Sequence, residues 1–296
     1  MIRTENLWKR YRGHTPIRGI SFFVPEGSVY ALIGSNGAGK TTTLKILMNI
    51  LEPTSGSAMV LGTDSRRISH RELNRIGYVS ENQQMPERLS VEEYFNYLRP
   101  FYMHWDRQLE SSLRVQLRLP AAHRIGELSH GMRMKMALAC ALPFRPDILI
   151  LDEPFSGLDP LVRDELMEGI LGRATEATLL MSTHELGEVE SFATHVAFLE
   201  DGKLLFDEPM EQLHKRFRAI RITFDHAAHV PRESFPDWFE LAAYDNTLQF
   251  IDSRFAERDS YERLNIWFHG IRSIEAEPVP LRAIFTTLAR AARNTA

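Results

Sequence analysis

The sequence has almost no cysteine: one residue, Cys140, in 296. A single thiol excludes an intramolecular disulfide, and a reducing cytoplasmic setting fits. Long apolar runs are missing as well. The longest, MALACALPF at Met136 to Phe144, is far short of the ~20 residues a membrane-spanning helix needs. The opening MIRTENLWKRY lacks the apolar core of a signal peptide, so any membrane role would be borrowed from another chain. Neither sign of charge dominates. At a net charge of −4, no global field recruits nucleic acid or anionic lipid, though a local basic patch stays open. No fixed-period repeat or low-complexity tract stands out. What remains is an ordinary globular balance, 44% hydrophobic and 25% charged, long enough for one large domain and a smaller one.

Against this background, GSNGAGKTT at Gly34 to Thr42 is unusual. Three glycines crowd into six positions, and glycine is costly to order, so bare backbone must be needed there. The apolar SVYALIG before it reads as a buried strand from Ser28 to Ile33. KTTTLKILMNIL after it places Leu44, Leu47, Met48 and Leu51 at helical spacing. Strand, glycine-rich turn and helix together make a phosphate-binding loop. Its N–H groups, from Gly34 through Ser35, Asn36, Gly37, Ala38 and Gly39 to Thr42, converge on an anion at a helix N-terminus. Lys40 is expected to neutralise the β- and γ-phosphates, and Thr41 to place its hydroxyl on Mg²⁺.

Three further elements bear on what happens to the nucleotide. DILILDEP, Asp147 to Pro154, is an apolar run ending in two carboxylates, as expected of a central parallel strand. Asp152 is expected to hold Mg²⁺, and Glu153 to accept a proton from an attacking water. The alternative is an acidic helix start. LSHGM, Leu128 to Met132, opens a helix, so Ser129 and Gly131 could form a second anion site; the alternative is an ordinary N-cap, which spacing alone favours. STHE puts His184 at the end of the apolar TLLMS, where it could contact a γ-phosphate.

Together these residues resemble the ATP-binding-cassette ATPases. GSNGAGKTT matches the family's phosphate loop, LSHGM its signature, ILILDEP its acidic strand, SGLDP at Ser156 to Pro160 its D-loop, and His184 its switch histidine, all in the family's order. Tyr11 looks like the aromatic that stacks on adenine. The resemblance covers roughly residues 1–217. WDRQLESSLRVQLRLP and LSHGMRMKMALACAL look like the single-cassette subunits of bacterial exporters, which pair with a separately encoded permease. Two details depart from the pattern. His130 and Met132 replace the glycine and glutamine of the usual LSGGQ; His130 could add a charge-assisted contact or point to solvent. Glu81 stands where the family puts a glutamine that touches Mg²⁺ and the attacking water, leaving that role open among Glu81, Gln83 and Gln84.

The resemblance implies an α/β fold: a P-loop cassette with a mixed sheet core, N-terminal antiparallel strands and a helical subdomain at about 82–145, spanning 1–217. It implies ATP and Mg²⁺ as cofactors, with Lys40, Glu153 and His184 in hydrolysis and Thr41, Asp152 and Glu81 near the metal. One chain carries one phosphate loop and one signature, two half-sites for a triphosphate. A head-to-tail pair is therefore expected, formed with a second copy or a close paralogue. Ser129 and the N–H of Gly131 would grip the partner's ATP, and Asp159 would pass information between sites. The expected setting is the inner face of the cell membrane, reached through the permease, with no nucleic-acid partner. Some of Phe95, Tyr97, Phe101, Tyr102 and Trp105 are expected to line the groove that receives a permease helix, while most of them pack in the core.

Residues 218–296 carry no matching motif. AIRITF, FELAAY and TLQFID read as strands, the last two joined by a turn at Asp245–Asn246. RFAERDSYERLNIWF reads as a helix and IRSIEAE as a strand. PLRAIFTTLARAAR places Leu281, Ile284, Phe285 and Leu288 on one helical face, with Arg282, Arg290 and Arg293 off it and Pro280 at the start. This predicts a small accessory α+β domain beyond a boundary near Arg216 to Arg218. The competing functions are a soluble cassette ATPase of translation or DNA repair and a nucleotide-binding module without catalysis. Translation types carry two cassettes, and chromosome-maintenance types insert a long coiled coil; here only about ninety residues separate Lys40 from Leu128, without sustained heptads. Intact Lys40, Asp152 and Glu153 argue against the module without catalysis. An importer ATPase is a variant of the exporter reading, disfavoured by the sequence type.

Overall fold

The continuous apolar runs of the sequence become the strands of one sheet. In the computed structural model, which describes residues 1–172, 177–230 and 235–294, six strands lie in the order Lys203–Pro209, His195–Glu200, Val29–Gly34, Thr178–Thr183, Ile148–Asp152 and Ile76–Ser80. The four ladders that join the last five are parallel. Val29–Gly34, Ile148–Asp152 and Thr178–Thr183 are buried along their whole length, as parallel strands covered on both faces must be. The C-terminal ends of these strands carry the phosphate loop, Asp152 and His184, so the topology itself gathers the chemistry.

An antiparallel sheet of His14–Val24, Ile2–Tyr11, Ser55–Val60 and Thr63–Asp64 supplies the second layer. Its Ile2, Leu7, Ile17 and Ile20 join Leu32, Leu44, Leu47, Ile148, Ile150 and Leu199 in one core. Helix Lys40–Leu47 is shorter than its apolar spacing predicts. Met48 is the C-cap residue, Asn49 sits at a φ of 55°, and Leu51 lies beyond the end. Asparagine tolerates that left-handed conformation better than most side chains, and it stops the helix there.

Three helices, Val91–Leu98, Arg107–Gln116 and His130–Ala141, make up the helical segment. Each begins at a side chain that accepts an N–H of its own first turn: Ser90 from Glu93, Asp106 from Leu109 and Ser129 from Met132. Of the aromatics here, Phe95 is fully buried, whereas Tyr97 and Phe101 are 54% and 57% exposed. Cys140 is buried on the last of these helices, and burial pushes its thiol well above the ordinary value, which makes it an inert core residue. No helix among the described residues is long and apolar enough to cross a membrane.

By its contacts the chain divides into Met1–Glu185 with Phe192–Asp207, and Leu186–Ser191 with Glu208–Ala296. The division falls between Asp207 and Glu208, earlier than the boundary expected near Arg216 to Arg218. Helix Met210–Arg216 therefore goes with the C-terminal unit. Arg216 anchors it there, paired with Glu208 and donating to the Ser253 carbonyl at 2.8 Å.

The C-terminal unit is an antiparallel sheet of Trp238–Tyr244, Thr247–Asp252, Arg218–Phe224 and Ile271–Pro278, with helices Glu257–Trp267 and Leu281–Asn294. The turn at Asp245–Asn246 closes the hairpin, with Asp245 at a φ of 53°. Ile220, Ile222, Phe224, Leu248, Phe250 and Leu264 form its core, and Trp238 stacks on Phe250. On the last helix Leu281 and Ile284 are buried, Phe285 and Leu288 are half-buried, and Arg282 and Arg290 are exposed; the side chain of Arg293 lies outside the described set. Thr287, which the apolar spacing does not single out, is buried too. The Glu190 carboxylate accepts the Leu281 N–H at 2.9 Å and satisfies one orphan donor of that helix.

Candidate functional site

The glycines of the loop answer two separate needs. A Cβ on Gly34 would sit 2.2 Å from the Leu199 carbonyl oxygen, so this position must be bare for the neighbouring strand to pass. Gly39 has a φ of 109°, and a Cβ there would lie 2.3 Å from the Pro16 carbonyl oxygen. Both strain and backbone overlap oppose any side chain. Gly39→Ala is expected to destabilise the fold by at least about 2 kcal/mol, read as a lowered urea midpoint at unchanged slope.

Around this loop the side chains close a network. The Lys40 Nζ donates to the carbonyls of Gly34 at 2.8 Å and Ser35 at 3.1 Å, and pairs with Glu153 Oε1 at 2.9 Å. The Ser35 hydroxyl donates to the buried Glu200 at 2.8 Å. The Thr41 hydroxyl donates to Asp152 Oδ1 at 2.9 Å, and Ser182 donates to the same oxygen at 2.7 Å. Burial pushes the Asp152 carboxyl above its ordinary value, while the Ser182 and Thr41 hydroxyls pull it down. The next residue, Glu153, sits at a φ of 51°. Successive side chains of a strand point opposite ways; this left-handed step at the strand's end brings both carboxylates into one site. The other oxygen of Glu153 meets His184 Nδ1 at 2.8 Å.

A cavity of about 560 Å³ opens on this network. It is lined by Asn36, Gly37, Gly39, Lys40, Thr41, Thr42, Glu81, Glu153 and His184, all expected from the sequence, and by His14, Pro16 and Ser156. Gly34, Ser35 and Ala38, also expected at the nucleotide, do not line it; the Ala38 N–H donates to the Ser35 carbonyl at 3.1 Å. Tyr11 does not line the cavity. It is 42% exposed and stacks on His14, centroids 5.1 Å apart, and it is His14 that lines the cavity. Ser129, Gly131 and Asp159 do not line it either. Ser129 accepts the Met132 N–H at 3.2 Å, and Asp159 accepts the Val162 N–H at 3.1 Å as the N-cap of helix Pro160–Leu171. Among the three candidates near the metal, Glu81 lines the cavity and donates its N–H to the Asp152 carbonyl at 3.0 Å. Gln83 turns back and accepts the Ser80 N–H, and Gln84 faces a neighbouring groove.

The donors suit a triphosphate with a hard divalent cation. Thr41 and Asp152 present a hydroxyl and a carboxylate side by side, the oxygen ligands Mg²⁺ prefers, and a buried carboxylate gains from a cation beside it. No group of three or more His, Cys, Asp or Glu side chains able to hold a metal exists among the described residues.

The ABC transporter family model matches residues 17–156. The uncharacterised ABC transporter ATP-binding protein YcbN of Bacillus subtilis is 34% identical over 218 residues, 72% of this chain and 71% of that protein. The bacitracin transport ATP-binding protein BcrA of Bacillus licheniformis is 33% identical over 224 residues, 74% and 72% of the two chains. A solved ATP-binding subunit of an ABC transporter superposes with a TM-score of 0.66 at 27% identity, covering 72% of this chain and 92% of that one. The chain belongs to the ABC transporter family, as an ATP-binding subunit of the P-loop cassette fold that hydrolyses ATP. These relatives are named for transport, and nothing in them supports the translation or DNA-repair alternative.

Proposed function

We propose that this cassette powers an exporter by pairing head to tail around two ATP molecules and working on a separately encoded permease. One observation carries the reading. The phosphate loop, Glu153 and His184 line one cavity, with Asp152 hydrogen-bonded to its Thr41 hydroxyl, while Ser129 and Gly131 of the same chain do not line it. Half of a γ-phosphate clamp thus lacks its other half, which a second cassette supplies. Transport is supported by the name of the bacitracin transport relative, and a drug-like or peptide cargo fits that name.

In this reading Lys40 and the loop amides stabilise charge on the transferring phosphoryl group. Thr41 and Asp152 would hold Mg²⁺, with Glu81 beside them; the ion would neutralise phosphate charge. Glu153 orients or deprotonates the water, and His184, already bonded to it, fixes its direction and reaches the γ-phosphate. Tyr11 or His14 stacks on adenine. Asp159 relays between the sites. A groove of about 520 Å³ beside the signature helix is lined by Glu81, Gln84, Met85, His130 and Arg133, among others. It suits a cytoplasmic permease helix, although none of the five aromatics expected in such a groove lines it; Tyr97 and Phe101 offer separate exposed rings on the helical segment. Glu81 borders both groove and nucleotide cavity, and so could report one to the other. The subunit then sits on the inner face of the membrane through that permease.

Two measurements test this. Purification from membranes is expected to recover a permease; recovery with ribosomes or DNA would overturn the transport role. In a Glu153→Gln background, Ser129→Ala is expected to weaken ATP-dependent pairing, seen as a smaller fraction of doubled mass on sizing. Ser129 also caps its helix, so the change costs about 1 kcal/mol locally. A thermal melt separates that cost from the loss of pairing.

A further inference from the structure

His130 replaces a glycine of the usual signature, and its ring makes a specific contact. Its Nε2 lies 3.1 Å from the carbonyl oxygen of Ser156. A carbonyl only accepts, so Nε2 carries the proton; the neutral Nε2–H tautomer suffices. Gly157 passes beside the ring, where a Cβ would come within 3.9 Å of His130 Cδ2, and it holds a φ of 67°. Next along the helix, a Cβ on Gly131 would meet Val162 at 3.0 Å and Leu158 at 3.6 Å. The start of the signature helix is therefore seated on the turn from Ser156 to Asp159, and His130 supplies a directional bond across that seat.

That turn is not remote from the chemistry. Ser156 lines the phosphate cavity, and its N–H donates to the Glu153 carbonyl at 3.3 Å. The fold has no need of the bond: His130 is exposed, and the helix is already capped by Ser129. We propose that His130 is a positioning residue that couples the two ATP sites of the pair. It ties the signature gripping the partner's nucleotide to the turn that follows this chain's own Glu153. The inference rests on the head-to-tail reading above. Closing the signature on one ATP would then pull on the Ser156 carbonyl and settle Glu153 in the other site, a coupling free energy between distinct sites.

The test measures steady-state hydrolysis against ATP concentration for the unaltered full chain, His130→Ala and His130→Gln. A glutamine amide can place an N–H near the position of Nε2. Affinity for a fluorescent ATP analogue, measured on dilute protein, serves as the single-site control. The unaltered chain is expected to show a Hill coefficient approaching the number of sites. In His130→Ala the coefficient falls toward one and kcat falls about 3- to 10-fold, the worth of one net hydrogen bond, while single-site affinity and melting temperature stay the same. His130→Gln recovers most of both. Full cooperativity in His130→Ala overturns the coupling, as does a Gln variant no better than Ala. An unaltered chain that hydrolyses ATP without cooperativity overturns it as well. Absence of any turnover in the unaltered chain brings down the functional reading itself.

Discussion

Glu153→Gln is expected to lower turnover about 10²–10⁴-fold while ATP still binds. The substitution keeps the size of the side chain and most of its hydrogen bonding, but it removes the carboxylate that accepts a proton. In the structure that carboxylate is held from two sides, by Lys40 at 2.9 Å and His184 at 2.8 Å, and its backbone occupies a left-handed conformation unusual outside glycine. Strain of this kind persists only where the surroundings enforce it, and here it turns Glu153 toward the phosphate loop. Single-turnover hydrolysis measured beside nucleotide affinity separates the two effects. A variant that turns over at the normal rate would remove Glu153 from the reaction.

Lys40→Met is expected to abolish hydrolysis to a similar degree, by at least about 10²–10³-fold, and to weaken triphosphate binding, which Glu153→Gln does not. The reason lies in where the charge sits. Lys40 is buried, and its ammonium is shared among two loop carbonyls and Glu153. Replacing it removes the cation meant for the β- and γ-phosphates and leaves Glu153 facing the site with only His184. Breaking a buried pair costs up to about 3–5 kcal/mol, so the nucleotide-free variant is also expected to melt earlier than the unaltered chain. Isothermal titration with ATP and a thermal melt read the two consequences separately. Normal ATP affinity in Lys40→Met would contradict the placement of the phosphates at this loop.

Much of the site was legible because its parts are short-range. A strand, a glycine turn and a helix follow one another in the chain, so GSNGAGKTT declares its own geometry. The acidic strand and His184 could be placed from the apolar runs before them, because parallel strands present their C-terminal ends together. What sequence missed depends on contacts between distant segments. Ser182 shares an oxygen of Asp152 with Thr41, and Ser35 is held by Glu200, yet the partners lie 30 and 165 positions apart. His14, paired with Tyr11 across the first hairpin, lines the cavity where Tyr11 does not, which spacing along one strand does not reveal. His130 was legible as a departure from the signature, but its acceptor, a backbone carbonyl on another segment, was not. The same holds for helix Met210–Arg216: its sequence shows an amphipathic helix, while its assignment to the C-terminal unit follows from Arg216 reaching Glu208 and Ser253.

The structure of Glu153→Gln solved with Mg²⁺ and ATP tests the central claim most directly. The account predicts two chains related by a two-fold axis, with each γ-phosphate held by Lys40 of one chain and by Ser129 and the Gly131 N–H of the other. A single chain that satisfies the entire terminal phosphate with its own groups would contradict it.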